Sequence, residues 1–451
     1  MAFQPADYTE FRYASFDFDR STCTATWGFE LASADGAQAE AFSETVTLTP
    51  PTSGATVDWQ RVESTLVLLG SVISLSYYKA AAPSRYIVDV DGMTDAAVRY
   101  LAVVLREGLG EFAYRAGLPA PLEPEIVRRG APGAAYDTAV ELGGQPLVPI
   151  GGGKDSVVSV ESLVAAGFSP VQFAVNPNSI ITRVAEVSGL PIVSARRILD
   201  RHLLELNADG ALNGHVPVTA MNSLIAVAQS LVLELGPVVM SNESSASDPT
   251  LDWNGDPVNH QWSKSLDAER LLVGVLEAQS GIAGAYFSLL RPFSELRIAR
   301  GFATSEKYDA AIVSCNRAFR LDAANAHWCG DCDKCRFVFL AMAPYMSKSR
   351  LTGIFGKNML DDVAQLPGFR ALLGLDEHKP FECVGEEAEC TVAMSLASRS
   401  DDWASSAVIT KLLVEIPDLA EGDPQLETTV LSLSEADELT GGYEKARYAL
   451  V

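Results

Sequence analysis

Long apolar runs are missing from this sequence of 451 residues. The longest, Leu66 to Leu75, is interrupted by Gly70, Ser71 and Ser74, and is too short to cross a bilayer, which takes roughly 20 apolar residues. The opening residues, Met1 to Phe11, lack the basic and apolar stretches of a secretory leader. Both absences predict a soluble, cytoplasmic protein with no membrane partner. Basic residues are scarce as well: 34 Lys and Arg face 58 Asp and Glu, a net charge of −24. Such a surface repels phosphodiester backbones, which argues against a nucleic-acid partner. There is no internal repeat and no low-complexity tract, and 34 Gly with 23 Pro are ordinary shares. Collagenous, coiled-coil and wholly disordered chains are therefore excluded. What is present is 48% hydrophobic residues over a length that suggests about three folding units with a large buried core.

The pattern changes along the chain. Residues 1–135 read as a smaller, β-rich α+β N-terminal domain, with alternating strands around Cys23–Phe29 and Glu44–Thr49 and helices over Trp59–Ser74 and Thr94–Ala116. The Pro- and Gly-containing stretch 118–133 reads as a linker. From 136 to 350, apolar strands alternate with helices, the signature of an α/β fold with a parallel sheet covered on both faces. The expected strands are Leu147–Ile150, Val171–Val175, Ile192–Ala195, Val238–Ser241 and Ala310–Ser314. The helix over Ala220–Leu235 stacks Leu224, Ala228, Leu231 and Leu235 on one face. Residues 351–451 read as a helical segment ending in an acidic tail, Pro417 to Glu438.

Within the α/β region, a strand leads into Gly151-Gly152-Gly153-Lys154-Asp155-Ser156 and then a helix. Successive glycines let the backbone turn closely around an anion, and the free amides and dipole at the helix start favour negative charge. An ordinary glycine turn is the simpler alternative. The loop fits neither a Walker A motif nor a dinucleotide-binding fingerprint. A second signal is Cys315 followed by Cys329-Gly-Asp-Cys332-Asp-Lys-Cys335. Four thiolates at this spacing suit a tetrahedral Zn²⁺ with a structural role, an iron–sulphur centre being the other possibility, and His327 stands close enough to replace one ligand. A third is the polar stretch after the Val238 strand, where Asn242, Glu243, His260 and Lys264 are expected to face the glycine loop across the carboxyl ends of the strands. Further on, His378 to Glu387 combines Cys383 with a His and several carboxylates.

The glycine loop resembles the PP-loop of the ATP pyrophosphatases, usually Ser-Gly-Gly-x-Asp-Ser, with Gly151 standing where that family has Ser. The resemblance implies ATP as substrate and Mg²⁺ as its partner, with Gly151, Gly152, Gly153, Lys154, Asp155 and Ser156 gripping pyrophosphate and Asp155 meeting the metal. Asn242 and Glu243 join them as nucleotide-binding candidates. The cysteine arrangement is similar to that of 7-cyano-7-deazaguanine synthases, amide- and nitrile-forming PP-loop enzymes that are the alternative reading. Together, the loop, Ser241-Asn-Glu-Ser-Ser-Ala-Ser, Asn259-His-Gln-Trp-Ser-Lys-Ser, Ser314-Cys-Asn-Arg-Ala-Phe-Arg, the Trp328 to Leu340 segment and Lys379-Pro-Phe-Glu-Cys-Val-Gly look like the MurL-type UDP-N-acetylmuramoyl-L-alanyl-L-glutamate epimerases, over residues 10–415 or so. That resemblance implies an ATP- and Mg²⁺-dependent isomerase of peptidoglycan synthesis, acting on a small anionic UDP-muramoyl dipeptide. Lys154 and Asp155 would serve adenylation, and His260, Lys264, Cys383 and Glu243 are the proton-transfer candidates, with no spacing that selects among them. Residues 291–350 hold ten Lys and Arg against six acids, a basic island suited to an anionic substrate, while 351–451 hold seven against nineteen.

Overall fold

The computed structural model describes residues 3–451 apart from 120, 135, 137, 254, 320–326 and 377–383. Five strands precede the glycine loop's own region: β1 (Tyr8–Asp19), β2 (Thr24–Ser33), β3 (Ala39–Thr47), β4 (Arg85–Val88) and β5 (Glu125–Arg128). After them come β6 (Val140–Glu141), β7 (Leu147–Pro149), β8 (Val171–Val175), β9 (Ile192–Ile198) and β10 (Val238–Met240), then β11 (Leu251–Trp253), β12 (Asp256–Val258), β13 (Ile282–Ala283) and β14 (Tyr286–Ser288). Ten of these form one sheet in the order β14-β10-β7-β8-β9-β3-β2-β1-β4-β5. β14 through β9 run parallel, and β9 joins β3 antiparallel, with Val46 opposite Arg197.

The seam between β3 and β9 is fastened by a buried charge. Glu44 is fully buried, accepts a hydrogen bond from Arg197 Nε at 2.5 Å and another from Tyr77 Oη at 2.7 Å. The N-terminal strands thus extend the α/β sheet itself, and β5, inside the stretch read as a linker, adds a parallel strand at the far edge through pairing with β4.

Period-two alternation sorts the side chains of the parallel strands onto two faces. Leu147, Phe173 and Val238 join a core that runs on through Tyr13, Trp27 and Phe29, covered by the helices Trp59–Ile73 and Val218–Val232. Val148, Ala174 and Val239 point the other way, onto Val160 and Leu163 of the helix that follows the glycine loop. Gly70, which broke the apolar run in the sequence, sits where a Cβ would lie 2.2 Å from Tyr13 Oη; the helix lies so close to the sheet that only glycine fits. A third core gathers Phe337, Phe339, Met342, Trp403 and Ile409 from the C-terminal helices.

One expectation is corrected. Ala310–Ser314 forms no strand; it runs past the glycine loop in irregular backbone, where Val313 N donates to Gly152 O at 3.0 Å. The edge of the parallel sheet beside β10 is formed by β14. The acidic tail also packs back on the protein: Glu435 and Asp437 pair with Arg270, each at 2.7 Å, and Arg447 beyond them is buried and donates to Leu289 O.

Candidate functional site

From β7 the chain reaches β8 and β9 on one side and β10 and β14 on the other, so the loop after β7 lies at the point where strand order reverses, the usual ligand crevice of such sheets. Gly151 is exposed, with open space where a Cβ would stand, whereas Gly152 has φ +82° and a Cβ there would meet Ile180 Cγ2 at 2.7 Å. Gly153 is the N-cap of the helix Lys154–Ala165 and, having no side chain, leaves the first amides uncapped. That end of the helix can receive an anion.

Lys154 does not project from the loop. It is buried, and its ammonium bridges Asp155 and Glu295, which begins the helix Glu295–Ala303. Burial works against the charge on Lys154, but the two carboxylates outweigh it and push its pKa up. Burial also works against the charge on Glu295, and Lys154 and Lys334 overcome it, holding that carboxyl down to about 2. Ser156 turns its hydroxyl back to Gly153 O at 3.2 Å. Asp155 is the one of the three that keeps an accessible side chain, 29% exposed.

Two further carboxyls crowd this pair. Glu243, after β10, is buried; burial and then the charge of Glu295 push it up to about 7, with Lys264 opposing. Glu389 is pushed up to about 8 by burial and then by Glu295, although it accepts backbone hydrogen bonds from Glu295 N at 2.7 Å and Glu386 N at 2.9 Å. Neither Glu295 nor Glu389 was singled out in the sequence. The available signals were helix starts: Ser294 caps one helix, and Glu386 with Glu389 forms a capping box on the other.

Arg291 organises the polar stretch after β10. It is buried against Glu269 at 2.7 Å and donates to Glu243 O at 2.8 Å and to Lys264 O at 2.7 Å, so one guanidinium fixes both backbones. Asn242 exchanges hydrogen bonds with Ser288 across the β10–β14 edge, and its buried Nδ2 has no acceptor among the described residues. Lys264 donates to Gln261 Oε1 at 3.0 Å, and its charge acts on Glu243 and Glu295. Sequence reasoning thus named Asn242, Glu243 and Lys264 without the arginine that fixes the last two. His260 instead bonds through Nδ1 to Glu111, a buried residue of the N-terminal region, beside His215. Cys383 lies outside the described residues.

The four cysteines converge. Sγ separations are 3.9 Å for Cys315 and Cys332, 3.7 Å for Cys329 and Cys335, and 3.4 Å for Cys332 and Cys335. Tetrahedral zinc with bonds of about 2.3 Å calls for sulphurs about 3.8 Å apart, so the set fits that ion, and with four protein ligands it fits a structural site. His327 is not part of the group. Cys332 is the N-cap and Cys335 lies in the first turn of the helix Asp333–Met342, which carries Lys334 to within 3.6 Å of Glu295. The cysteine knuckle therefore meets the glycine loop twice, through Lys334 and Glu295 to Lys154 and through Val313 N, which donates to Gly152 O two residues before Cys315. The basic island largely neutralises itself: Arg291, Arg317, Lys334, Arg336 and Arg350 all pair with carboxylates inside the protein. No helix among the described residues is long and apolar enough to cross a membrane.

Two family models match, the MurL N-terminal domain over residues 2–289 and the MurL C-terminal domain over residues 311–427. Among curated relatives, the UDP-N-acetyl-alpha-D-muramoyl-L-alanyl-L-glutamate epimerase of Salinispora tropica is 49% identical, covering 91% of this chain and 89% of its own. The protein of that name from a Micromonospora species is 50% identical over 91% of both chains, and that from Xanthomonas oryzae pv. oryzae 43% identical over 81% and 82%. No solved structure matches.

Proposed function

Because this chain belongs to the MurL family, we propose that it is an ATP-dependent isomerase inverting the terminal L-Glu of a UDP-muramoyl-L-alanyl-L-glutamate to D-Glu. The observation that supports this most is the company kept by the glycine loop: an uncapped helix start for phosphates lies within electrostatic reach of Glu243, a carboxyl poised near neutrality.

The chemistry explains why ATP is needed for an inversion. A carboxylate resists loss of its neighbouring Cα proton, because the resulting carbanion would sit beside a negative charge. Attack of the glutamate α-carboxylate oxygen on the α-phosphorus of ATP expels pyrophosphate and leaves an acyl-adenylate, in which the carboxyl group itself no longer carries a charge. Its Cα proton can then be removed on one face and a proton returned on the other. Water cleaves the acyl–phosphate bond, releasing AMP and the D-Glu product, so one ATP and one water are consumed per inversion.

In this reading the amides of Gly152 to Asp155 receive the β- and γ-phosphates. Asp155, the accessible carboxylate of the loop, is the oxygen donor suited to Mg²⁺, which when bound neutralises charge on the phosphates. Lys154 is a brace, fixing the loop to Glu295. Glu243 and Lys264, whose backbones Arg291 fixes, are the pair proposed to move the Cα proton, an acid near pH 7 being best placed for transfer in either direction. Protein, ATP, Mg²⁺ and the L-Glu substrate are incubated, and the glutamate is recovered by acid hydrolysis for chiral analysis. D-Glu is expected only with ATP present; no D-Glu, or pyrophosphate release that depends on ammonia, would overturn the reading.

A further inference from the structure

Away from the glycine loop, three segments distant in sequence bring Glu111, His215 and His260 together, with one potential ligand atom from each lying within 4.8 Å of the others. Both imidazoles turn Nδ1 toward the same oxygen, Oε2 of Glu111: His260 in direct contact, His215 at 3.7 Å, with their rings 4.7 Å apart. The other carboxylate oxygen is engaged by Arg115 Nε at 2.6 Å, which fixes the orientation of Oε2. His215 makes no hydrogen bond with the described residues, and at 29% side-chain exposure an ion can reach its Nδ1.

An ordinary buried ion pair accounts for Glu111 and His260, but not for the second imidazole facing the same oxygen. We propose that these three side chains form a second metal centre, distinct from the cysteine cluster, that takes Zn²⁺. Bonds of about 2.0–2.2 Å to two nitrogens and an oxygen place tetrahedral ligands roughly 3.3–3.5 Å apart, a few tenths of an ångström from the His215–Glu111 separation, and His260, in direct contact with Glu111, would draw back to admit the ion. Imidazole with carboxylate suits zinc, whereas Mg²⁺ and Ca²⁺ take oxygen ligands. Arg115 then serves as the outer partner that orients a ligating carboxylate. Three protein ligands leave a fourth position for water or an anionic oxygen, unlike the closed cysteine set. Binding would also staple the N-terminal region, through Glu111, to the loop that carries Lys264.

The test measures metal content of the full-length protein after incubation with excess ZnCl₂ and removal of free ion. Zinc and iron are counted separately by elemental analysis. The wild type is expected to hold one zinc more per chain than Glu111→Gln or His215→Ala, whatever metal the cysteines carry. Calorimetric titration with Zn²⁺ should show a site weakened at least tenfold in either variant. Glu111→Gln preserves shape and His215 is partly exposed, so circular dichroism should match the wild type. Equal zinc content in the wild type and a folded His215→Ala variant, or no Zn²⁺ binding outside the cysteines, would overturn the proposal.

Discussion

Lys154 and Glu295 form a buried ion pair that joins the first turn of the helix after the glycine loop to the first residue of the helix Glu295–Ala303. Removing either partner leaves the other buried with one counter-charge fewer: Lys154 keeps Asp155, and Glu295 keeps Lys334 at 3.6 Å. Glu295→Gln is expected to cost about 3 kcal/mol of stability, the lower end of the penalty for breaking a buried pair, because Asp155 still faces Lys154. Lys154→Met with Glu295→Leu together should cost much less than the sum of the single changes. Urea unfolding of the four proteins measures this coupling; additive effects would show that the pair is not a brace.

The same residues set a pH dependence. Glu389 is raised to about 8, so the stability it contributes in its protonated form is full at acid pH and is lost as pH climbs from the ordinary 4.5 through about 8. Glu295 is lowered to about 2, so its contribution is present at neutral pH and disappears as pH falls from 4.5 toward 2. Thermal unfolding from pH 5 to pH 8 should show declining stability in the wild type and a flatter profile in Glu389→Gln, even if that variant is less stable throughout.

Two glycines in the loop should respond oppositely to a side chain. Gly152→Ala places a Cβ against Ile180 at positive φ, a strain of roughly 1–2 kcal/mol before any clash. It should lower stability and raise KM for ATP. Gly151→Ser enters open space and restores the hydroxyl usual in PP-loops; it should leave stability unchanged and, if anything, lower KM for ATP. Chemical unfolding and initial-rate kinetics on both variants decide the matter.

Asp155→Ala removes the accessible carboxylate of the loop and one of the two partners of the buried Lys154, which keeps Glu295. Pyrophosphate release should fall by about 10²-fold or more, the scale of losing one charge-stabilising group, while circular dichroism stays unchanged. Retained release would contradict the assignment of the loop.

The four cysteines are placed to hold a metal ion, and stripping such an ion should be felt at a distance. Cys335 and Lys334 share the first turn of one helix, so a chelator, or Cys335→Ser, should lower the melting temperature and weaken ATP binding together. Loss of stability with unchanged nucleotide affinity would show that the knuckle does not communicate with the loop.

Much of this was legible from residue order, for physical reasons. The loop after β7 announces itself because only glycine tolerates such turns at a strand-to-helix junction, and the cysteines because thiolate spacing encodes their convergence. Val171–Val175 carries apolar residues on both faces, interrupted by Gln172, because it is buried on both faces. Ala310–Ser314 has the same apolar character, earned by packing in the C-terminal core without sheet pairing, and so misled. Glu295 and Glu389 looked like helix-start residues, which they also are; only tertiary packing brings them beside Lys154 and Glu243. His260 was read with the loop residues, but its bonding partner, Glu111, comes from the N-terminal region, and local pattern carries no trace of that pairing.

The decisive measurement follows the Cα hydrogen and the nucleotide together. With substrate, ATP and Mg²⁺ in D₂O, each inverted glutamate should carry deuterium at Cα and be matched by one pyrophosphate and one AMP. Inversion without ATP cleavage, or ATP cleavage that leaves the glutamate in its original configuration, would contradict the coupling of adenylation to epimerisation.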